Sequence, residues 1–587
     1  MARRPAPSPG ANPAQRARAA LEAGRIQDAI AQARRLSQKD PSNPAIAAVL
    51  AEALLRADQP EQALFAADRA PALETGLLGI RALHALKRHD EALRRAERLA
   101  GAHPRSADAL AALASAHASV GHPEATADAA GRAAALEPGN PGHALAHASA
   151  LLETGRARQA IALIGSLAMR HPDAPGVLAA FASALNYTDQ ASPAYIRDAH
   201  RAFGRALERA TPPLQTPDPD PDPERPLRVG FLSRDLHRHS CAYFLEPLIA
   251  NLDPASVETT CYSMGPITDD FTRRIRAACA HWRDLPGAPP KSVIEQIRKD
   301  RIDVLIECMG LTAGVRLAIL AARPAPLQLT YLAYPNTTGL SRIDARIVDA
   351  ITDPATDACD ALATERLVRL DRCFLCYQPD ARAPDVQPRP EGEPLTFISL
   401  NTIQKINPTT LDLWSAVLRA RPETRLLLKH RGADEPASRA RIDALFRERD
   451  IDPARVELIG HLKPIDEHLG SYHRADLALD TFPYAGTTTT CEAAWMGVPT
   501  LTLAGDRHSA RVGASINHAL GLDELTADTP ERFVEIACEH AADPARLRSA
   551  RLARREQMRC SPLCDAPDHA RAFAAALRSL WRERVSH

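Results

Sequence analysis

The sequence LDTFPYAGTTTTCEAAWMGVP, residues 479–499, is the most informative segment for the fold. A predicted strand runs into it, Gly486 permits a tight turn, and the four threonines 487–490 open a helix. The free N–H groups and the dipole of a helix start attract anions, so this turn predicts a diphosphate site. A capping box, with Thr489 as N-cap and Glu492 three residues later, is the alternative and contributes about 1 kcal/mol. Four successive threonines exceed what a cap requires.

The same alternation of strand and helix extends in both directions from this stretch. β-branched and apolar runs alternate with amphipathic segments, which predicts parallel, doubly wound sheets. A polar, Pro-rich segment at 381–394 separates the runs into two α/β halves. The predicted strands cover 227–233, 258–264, 303–308 and 327–335, and then 395–401, 424–430, 455–460, 476–481 and 499–505. Two such halves predict a two-Rossmann fold with ligands in the cleft at the carboxyl ends of the strands.

Residues 12–175 repeat a helical pattern. An Ala recurs at 29, 63, 92, 125 and 160, and a Pro closes the later helix at 41, 71, 104, 138 and 172. Intervals of 29 to 35 residues bracket the tetratricopeptide period, with Gly24, Gly121 and Gly155 at turns between paired helices. About five stacked pairs predict an α-helical solenoid with a concave face suited to an extended peptide. A plain helical spacer is the alternative.

These patterns predict six segments along the chain. TPPLQTPDPDPDPERP, residues 211–226, combines Pro with repelling Asp side chains, which excludes helix and sheet and indicates a linker. The segments are a disordered N-terminus at 1–13, the repeat domain at 14–210, the linker at 211–226, the first α/β half at 227–380, a second linker at 381–394 and the second half at 395–587.

Charge and hydropathy exclude several classes of partner. Lys plus Arg and Asp plus Glu number 72 each, so no overall basic field favours nucleic acid. The first 13 residues lack the apolar core of a secretory signal. No run approaches the roughly 18 apolar residues of a membrane span. We therefore expect a cytoplasmic protein without nucleic-acid or membrane partners. A homo-oligomer is compatible with these features.

Three further residues are candidates for chemistry. Lys405, in Asn401-Thr-Ile-Gln-Lys405, follows the first strand of the second half, where a fixed cation could neutralise a leaving diphosphate. His239 follows the first strand of the first half and could take a proton from an acceptor hydroxyl or hold a sugar, although His237 stands two residues away. His468 precedes a helix and could stack on a base. The alternatives are a surface charge for the lysine and solvated rings for the histidines.

Five motifs make the chain resemble the O-GlcNAc transferase and SPINDLY family of protein glycosyltransferases, from about Leu227 to the C-terminus. They are HSCAYFLEPL (239–248), RPAPLQLTYLAYPNTTGL (323–340), LVRLDRCFLCY (367–377), KINPTTLDLW (405–414) and LDTFPYAGTTTTCEAAWMGVP (479–499). The resemblance implies a repeat superhelix joined to two Rossmann-like halves of the GT-B type. It also implies metal-independent, inverting transfer of a sugar from a nucleotide donor to Ser or Thr of a protein.

The resemblance also implies roles for residues of this sequence. Lys405, Thr488 and Thr489 would hold the diphosphate, Glu492 would meet the ribose, and His468 would stack near the base. His239 matches the family's active-site histidine, with Asp300 and the donor phosphate as rival proton acceptors. The full predicted set is His239 and Lys405 for catalysis, and Asn401, Lys405, His468, Gly486, Thr487, Thr488, Thr489 and Glu492 for donor binding.

The resemblance leaves the donor open. CFLCY, YPNTTGL and the DTFPYAGTTTTCE string are closer to the SPINDLY branch, whose plant members use GDP-fucose, whereas animal members of the family use UDP-GlcNAc. We favour UDP-GlcNAc slightly. Leu311 stands where relatives carry His or Tyr, and Ala333 where they carry Gly, and both changes could alter the sugar pocket. A protein O-fucosyltransferase, a catalytically weak scaffold that binds nucleotide sugar, and an asparagine-directed or small-molecule glycosyltransferase are the alternatives.

No metal site is predicted. Cys373 and Cys376 form a CxxC without a second Cys or His pair at the spacing of a zinc site. Asp218-Pro-Asp220 and Asp450-Ile-Asp452 match the DxD pattern of metal-dependent glycosyltransferases. The first lies in the Pro-Asp linker and indicates solvated charge. The second indicates a helix-to-turn junction.

Overall fold

The computed structural model describes residues 13–215, 220, 222–462 and 464–586. The described part of the chain divides into two compact units. The first unit contains residues 13–154 and the short segment 434–438, and the second contains residues 155–433 and 439–586. Residues 1–12 of the predicted disordered N-terminus, and Asp218 in the predicted linker, lie outside the described residues.

The first unit is a run of helices in which each packs against the next. Ala29, Ala63 and Ala92 are fully buried, and their small side chains permit close helix contacts. Gly24 and Gly121 have positive φ angles at turns between helices, a conformation that glycine adopts without strain. This confirms the predicted helical repeats. The helices are α1 (Pro13–Glu22), α2 (Ile26–Lys39), α3 (Pro44–Arg56), α4 (Pro60–Asp68), α5 (Leu73–Ala85), α6 (His89–Ala102), α7 (Ala107–Val120), α8 (Pro123–Leu136) and α9 (Pro141–Glu153).

The second unit begins with three more helices, which pack with the α/β part of the chain. They are α10 (Ala157–Arg170), α11 (Pro175–Ala184) and α12 (Pro193–Ala210). A Cβ on Gly204 of α12 would lie 1.8 Å from the carbonyl oxygen of Gly339, so the two backbones are in direct contact. The His200 ring is hydrogen-bonded to the Ile196 carbonyl and the Tyr334 hydroxyl, each at 2.7 Å. Helix α12 therefore fixes the loop that contains Tyr334.

The first α/β half is a seven-stranded sheet in the order β3-β2-β1-β4-β5-β6-β7 with parallel pairing throughout. The strand order reverses direction beside β1, which creates the crevice where doubly wound sheets bind ligands. The strands are β1 (Leu227–Ser233), β2 (Val257–Ser263), β3 (His281–Asp284), β4 (Val304–Glu307), β5 (Leu327–Tyr331), β6 (Ala345–Asp349) and β7 (Arg366–Leu370). The helices are α13 (Ala242–Asn251), α14 (Asp270–Ala278), α15 (Pro290–Lys299), α16 (Ala318–Ala321) and α17 (Asp357–Asp360).

The second α/β half is a parallel six-stranded sheet in the order β10-β9-β8-β11-β12-β13, with its own reversal beside β8. The strands are β8 (Thr396–Ser399), β9 (Arg425–Lys429), β10 (Val456–Ile459), β11 (Leu477–Leu479), β12 (Thr500–Leu503) and β13 (Thr526–Ala527). The helices are α18 (Pro408–Ala420), α19 (Pro436–Arg447), α20 (Ile465–Gly470), α21 (Thr488–Trp495), α22 (Val512–Leu520), α23 (Pro530–Ala542), α24 (Pro544–Arg559) and α25 (Ala566–Ser586).

The predicted two-Rossmann fold is confirmed, and four strands were missing from the prediction. β3, HWRD, is a partly exposed edge strand, and β13 has only two residues. β6 and β7 carry charged residues that interrupt the apolar pattern. The last helix, α25, packs on α13 of the first half and buries Trp581 in the same core as β1. The end of the chain therefore returns to the first sheet.

Candidate active site

A cavity of about 360 Å³ lies between the carboxyl ends of the two sheets, within the second unit. Residues that follow β1, β8 and β11 reach it because parallel strands end at one edge of a sheet. Every predicted site residue except Gly486 lines it. The predicted residues in its wall are His239, Asn401, Lys405, His468, Thr487, Thr488, Thr489 and Glu492.

A threonine of the turn is bonded to Asn401, which follows β8, and does not cap its own helix. Helix α21 begins at Thr488, and Thr487 before it makes no side-chain capping bond. Thr489 Oγ1 donates to Asn401 Oδ1 at 2.9 Å. The capping box with Thr489 and Glu492 is therefore not formed. The N–H groups at this helix start are left without a side-chain cap, as an anion site requires.

Gly486 belongs to the turn but does not line the cavity. A Cβ at this position would lie 2.6 Å from Thr489 Oγ1 and 2.7 Å from Thr490 Oγ1, which is too close for any side chain. Its N–H donates to Asp480 Oδ1 at 2.7 Å. The turn thus needs glycine because of crowding by the threonine hydroxyls.

The buried carboxylate of Asp480 holds the turn together, and sequence reasoning missed it. Its Oδ1 accepts bonds from Gly486 N, Thr481 N and Asn401 Nδ2, at 2.7, 2.8 and 3.2 Å. Its Oδ2 accepts one from Thr502 Oγ1 at 2.9 Å. Burial raises the pKa of Asp480, whereas these donors and the nearby Lys405 charge oppose that rise. The available signal was an Asp at the end of a strand, directly before the turn.

Lys405 is held beside the turn by its neighbours. Its Nζ donates to the Ala485 carbonyl at 2.8 Å and lies 4.0 Å from the centre of the Tyr484 ring. Burial lowers the pKa of Lys405 to about 8, and the Asp480 charge opposes this effect. The ammonium group is therefore mostly protonated at neutral pH.

A second lysine, Lys429, also lines the cavity and was not predicted. It is the last residue of β9, so its apolar strand places it at the same sheet edge as Asn401. Burial lowers its pKa, and the Glu492 carboxylate opposes this shift. Glu492 Oε2 lies 3.2 Å from His468 Nε2. The second-sheet wall thus combines two cations with one carboxylate and a histidine.

His239, rather than His237, reaches the cavity. Its side chain is 42% exposed, and Nδ1 accepts the Cys241 N–H at 3.3 Å. Burial lowers the pKa of His239, Asp235 opposes this, and His237 lowers it further. Because Nδ1 acts as an acceptor, the neutral ring carries its proton on Nε2. The ring can then donate a hydrogen bond from Nε2.

Asp300, the rival proton acceptor, does not line the cavity. Arg283 donates to both of its carboxylate oxygens, at 2.8 and 3.0 Å. Gln296 and the Tyr262 hydroxyl donate to it as well. Burial alone would raise the pKa of Asp300, but Arg283 and the other donors hold it below its usual value. This carboxylate is engaged in a structural ion pair.

The two departures from the family pattern have different surroundings. Leu311 is 5% exposed and does not line the cavity. Ala333 lines it, but the left-handed residue of that turn is Leu332, with φ +74°. The extra methyl of Ala333 therefore causes no backbone strain and only narrows the cavity.

The residues considered for metals have ordinary contacts. Cys373 and Cys376 are buried thiols, and Ser515 Oγ donates to Cys373 Sγ at 3.2 Å. Asp450 has φ +59°, and Asp452 accepts the Ala454 N–H at a short helical turn. This is the helix-to-turn junction that the sequence indicates.

Two parallel, doubly wound sheets that face one cavity form a fold of the GT-B type, as in the solved structure of a Thermobaculum terrenum O-GlcNAc transferase mutant. The model of glycosyl transferase family 41 matches residues 198–380 and 388–573, and a tetratricopeptide model matches residues 20–76. The chain belongs to glycosyl transferase family 41.

Several named proteins are similar to this chain. The chain is 38% identical over 393 residues to SPINDLY of Solanum lycopersicum, a probable UDP-N-acetylglucosamine–peptide N-acetylglucosaminyltransferase; the match covers 66% of this chain and 42% of the relative. SPINDLY of Arabidopsis thaliana is 36% identical over 392 residues, covering 66% and 43%. The chain thus spans about four tenths of the length of these relatives. A solved structure of a Thermobaculum terrenum O-GlcNAc transferase mutant matches with TM-score 0.80 and 32% identity, covering 88% of this chain and 98% of that one.

Among the described residues, none of the helices is both long and apolar enough to cross a membrane.

Proposed function

We propose that the chain is an inverting protein O-glycosyltransferase that uses a nucleotide-diphosphate sugar and no metal. The observation that carries this proposal is the meeting of Lys405, Asn401 and the uncapped threonine turn in one cavity between the two sheets. Membership of family 41 supports the same class of reaction. UDP-GlcNAc is the donor we favour, with GDP-fucose as the alternative.

The donor's diphosphate lies at the start of helix α21 in this proposal. The N–H groups of Thr487, Thr488 and Thr489 and the hydroxyls of Thr487 and Thr488 bind its oxygens, while the Thr489 hydroxyl stays bonded to Asn401. Lys405 and Lys429 balance the charge of the diphosphate. The two lysines and the helix start supply the positive charge that a metal ion provides in other transferases.

The nucleoside lies on the other side of the turn. The Glu492 carboxylate accepts hydrogen bonds from the ribose hydroxyls, and the His468 ring stacks near the base. The 3.2 Å contact between His468 Nε2 and Glu492 Oε2 supports this arrangement because it fixes both side chains in the cavity wall.

The transfer is a displacement at the anomeric carbon. The acceptor hydroxyl oxygen forms the new bond to this carbon while the bond to the diphosphate oxygen breaks, and the diphosphate leaves with the electron pair. Lys405 stabilises the negative charge that develops on it. His239 donates a hydrogen bond from Nε2 and positions the reactants, and the acceptor's proton passes to the departing diphosphate.

The acceptor in this proposal is a Ser or Thr hydroxyl of a protein or peptide. The helical repeats of the first unit are the module that we assign to acceptor binding, since stacked tetratricopeptide pairs provide extended peptide-binding surfaces.

Thermal stabilisation by nucleotides tests the proposal. UDP, GDP, UDP-GlcNAc and GDP-fucose are added in turn, and we expect the two compounds of one base to raise the melting temperature, because a ligand that binds only the native state stabilises it. The double variant Thr488→Ala/Thr489→Ala should lose this shift. Thr490→Ala is the matched control, since Thr490 belongs to the same helix start but does not line the cavity. No shift with any of the four compounds contradicts the proposal.

A further inference from the structure

A second cavity, of about 220 Å³, adjoins the candidate active site in the same unit. Pro335 and His508 line both cavities, so the two are separated only by shared side chains. The second cavity is smaller than the roughly 300–1,000 Å³ of small-molecule sites, which favours a single side chain as its occupant over a nucleotide sugar.

Three arginines line the second cavity: Arg346 of β6, and Arg507 and Arg511 beside the short helical turn after β12. Arg346 Nη2 donates to the Tyr334 carbonyl at 3.3 Å. Arg511 Nε donates to the Ile351 carbonyl at 2.6 Å. Within the described part of the chain, neither of these two arginines forms a salt bridge with a carboxylate, although the charge of Arg346 acts on Asp353. Backbone carbonyls hold both guanidinium groups in place.

Arg507 carries an unused donor. Its side chain is only 10% exposed, Nε donates to Asp506 Oδ1 and Nη2 to the Ala191 carbonyl, each at 3.0 Å. Nη1 is buried and has no hydrogen-bond partner among the described residues. A buried guanidinium N–H without an acceptor is unfavourable, so an added anion would gain a strong hydrogen bond here.

The carboxylates of this cavity do not cancel the arginine charges. Asp353 Oδ2 lies 2.6 Å from His508 Nδ1, and both side chains are buried. Burial alone would raise the pKa of Asp353, but His508 and Arg346 lower it to about 2, so it stays ionised and paired. Asp506 is 61% exposed and paired with Arg507. Three arginines therefore face two carboxylates, one buried against a histidine and one largely in solvent.

We propose that this second cavity binds a carboxylate side chain, Asp or Glu, of the acceptor protein, located a few residues from the hydroxyl that receives the sugar. The proposal rests on the protein acceptor assigned above. Guanidinium groups match the two oxygens of a carboxylate, and the shared wall at Pro335 and His508 sets a short reach between this side chain and the reacting hydroxyl.

A peptide library tests this carboxylate subsite. Peptides with one central Ser or Thr and randomised flanks are incubated with the full chain and each labelled donor, and the labelled peptides are sequenced. We expect Asp and Glu to be enriched at one or two flanking positions. In Arg507→Gln the KM for an enriched acidic peptide should rise about tenfold, as expected for a lost charge-assisted bond, with the KM for its Asn/Gln counterpart unchanged.

Asp506→Asn is the matched control because it removes a negative charge from the same wall. It should lower the KM for the acidic peptide, the opposite direction to Arg507→Gln, so a general loss of folding cannot produce both results. Arg507→Glu should shift the enrichment from acidic to basic flanks. An identical flank profile in the wild type and Arg507→Glu, with sugar transfer retained, overturns the subsite alone. Absence of transfer to every peptide overturns the proposed function. Ser-containing peptides that differ only by Asp or Asn at each flanking position are then compared by fluorescence anisotropy, where equal affinities at every position overturn the subsite as well.

Discussion

The two walls of the active cavity are built in different ways. On the second-sheet side, Asn401 and Gly486 are bonded to the buried Asp480 carboxylate, and Thr489 is linked to it through the Asn401 amide. On the first-sheet side, the His239 side chain is 42% exposed, and its Nδ1 has only a long bond from the Cys241 N–H at 3.3 Å and a contact with Asp235 Oδ2 at 3.9 Å. The first arrangement is a closed network, and the second is a loop residue with freedom to adjust.

This difference indicates that the two walls have different roles in the reaction. A preorganised network suits the stabilisation of charge on the diphosphate, because donors that are already in place need no reorganisation during the reaction. A partly exposed histidine suits the alignment of acceptors that differ in sequence. Substitutions on the second-sheet wall should therefore lower the transfer activity more than substitutions on the first-sheet wall.

The largest effect is expected for Lys405→Ala. Removing one preorganised group that stabilises the developing charge should lower kcat by about 10²–10³. Initial rates of sugar transfer at saturating donor measure it, with circular dichroism to verify the fold. Lys429→Ala is the matched comparison, since the Lys429 cation lines the same cavity but interacts with the negative charge of Glu492. A Lys405→Ala enzyme within threefold of the wild type would remove the central role of this lysine.

Gly486→Ala should have the next largest effect. The added methyl would lie 2.6 Å from Thr489 Oγ1, and overpacking of this kind costs about 1–3 kcal/mol. We expect a lower melting temperature and weaker nucleotide binding by calorimetry. Gly470→Ala in α20 is the control, because no atom lies within 4 Å of its added Cβ. Equal behaviour of the two variants would show that the turn relaxes at no cost.

A smaller effect is expected from pH. Lys405 acts as a cation, and burial lowers its pKa to about 8 in the free protein. The protonated form is lost as pH rises through this value, so kcat/KM should be about tenfold lower at pH 9 than at pH 7. Lys405→Arg, whose charge persists to a much higher pH, should lack this decline in whatever activity it keeps. A profile for the wild type that is flat to pH 9 contradicts the assignment.

Much of the fold followed from the sequence because local patterns produce it. The threonine stretch, the nine predicted strands and the repeat period all depend on residues close together in the chain. β6 and β7 escaped because charged residues such as Arg346 and Arg369 interrupt their apolar runs. The return of α25 to the first sheet depends on tertiary packing that no local pattern specifies.

The site divides in the same way. Lys405 and the threonines could be predicted as cavity residues because each belongs to a local motif, KINPTTLDLW for the lysine and the 479–499 stretch for the threonines. The importance of Asp480 could have been inferred from its position at a strand end, whereas its four hydrogen bonds could not have been predicted. The arginine cavity joins residues 346, 507 and 511, which are brought together only by the folded chain.

His239 should show the smallest effect and the most informative one. If its Nε2 donates a hydrogen bond, His239→Gln keeps a donor and should lower kcat by less than about tenfold, whereas loss of a general base costs about 10²–10⁴. The pKa of His239 lies below its ordinary value, so a general base would give activity that rises with pH in the acid range. The acid limb of the kcat/KM profile should therefore be the same in the wild type and His239→Gln. A limb that disappears in the variant, with a loss above a hundredfold, would make this histidine the base and place proton transfer on the first-sheet wall.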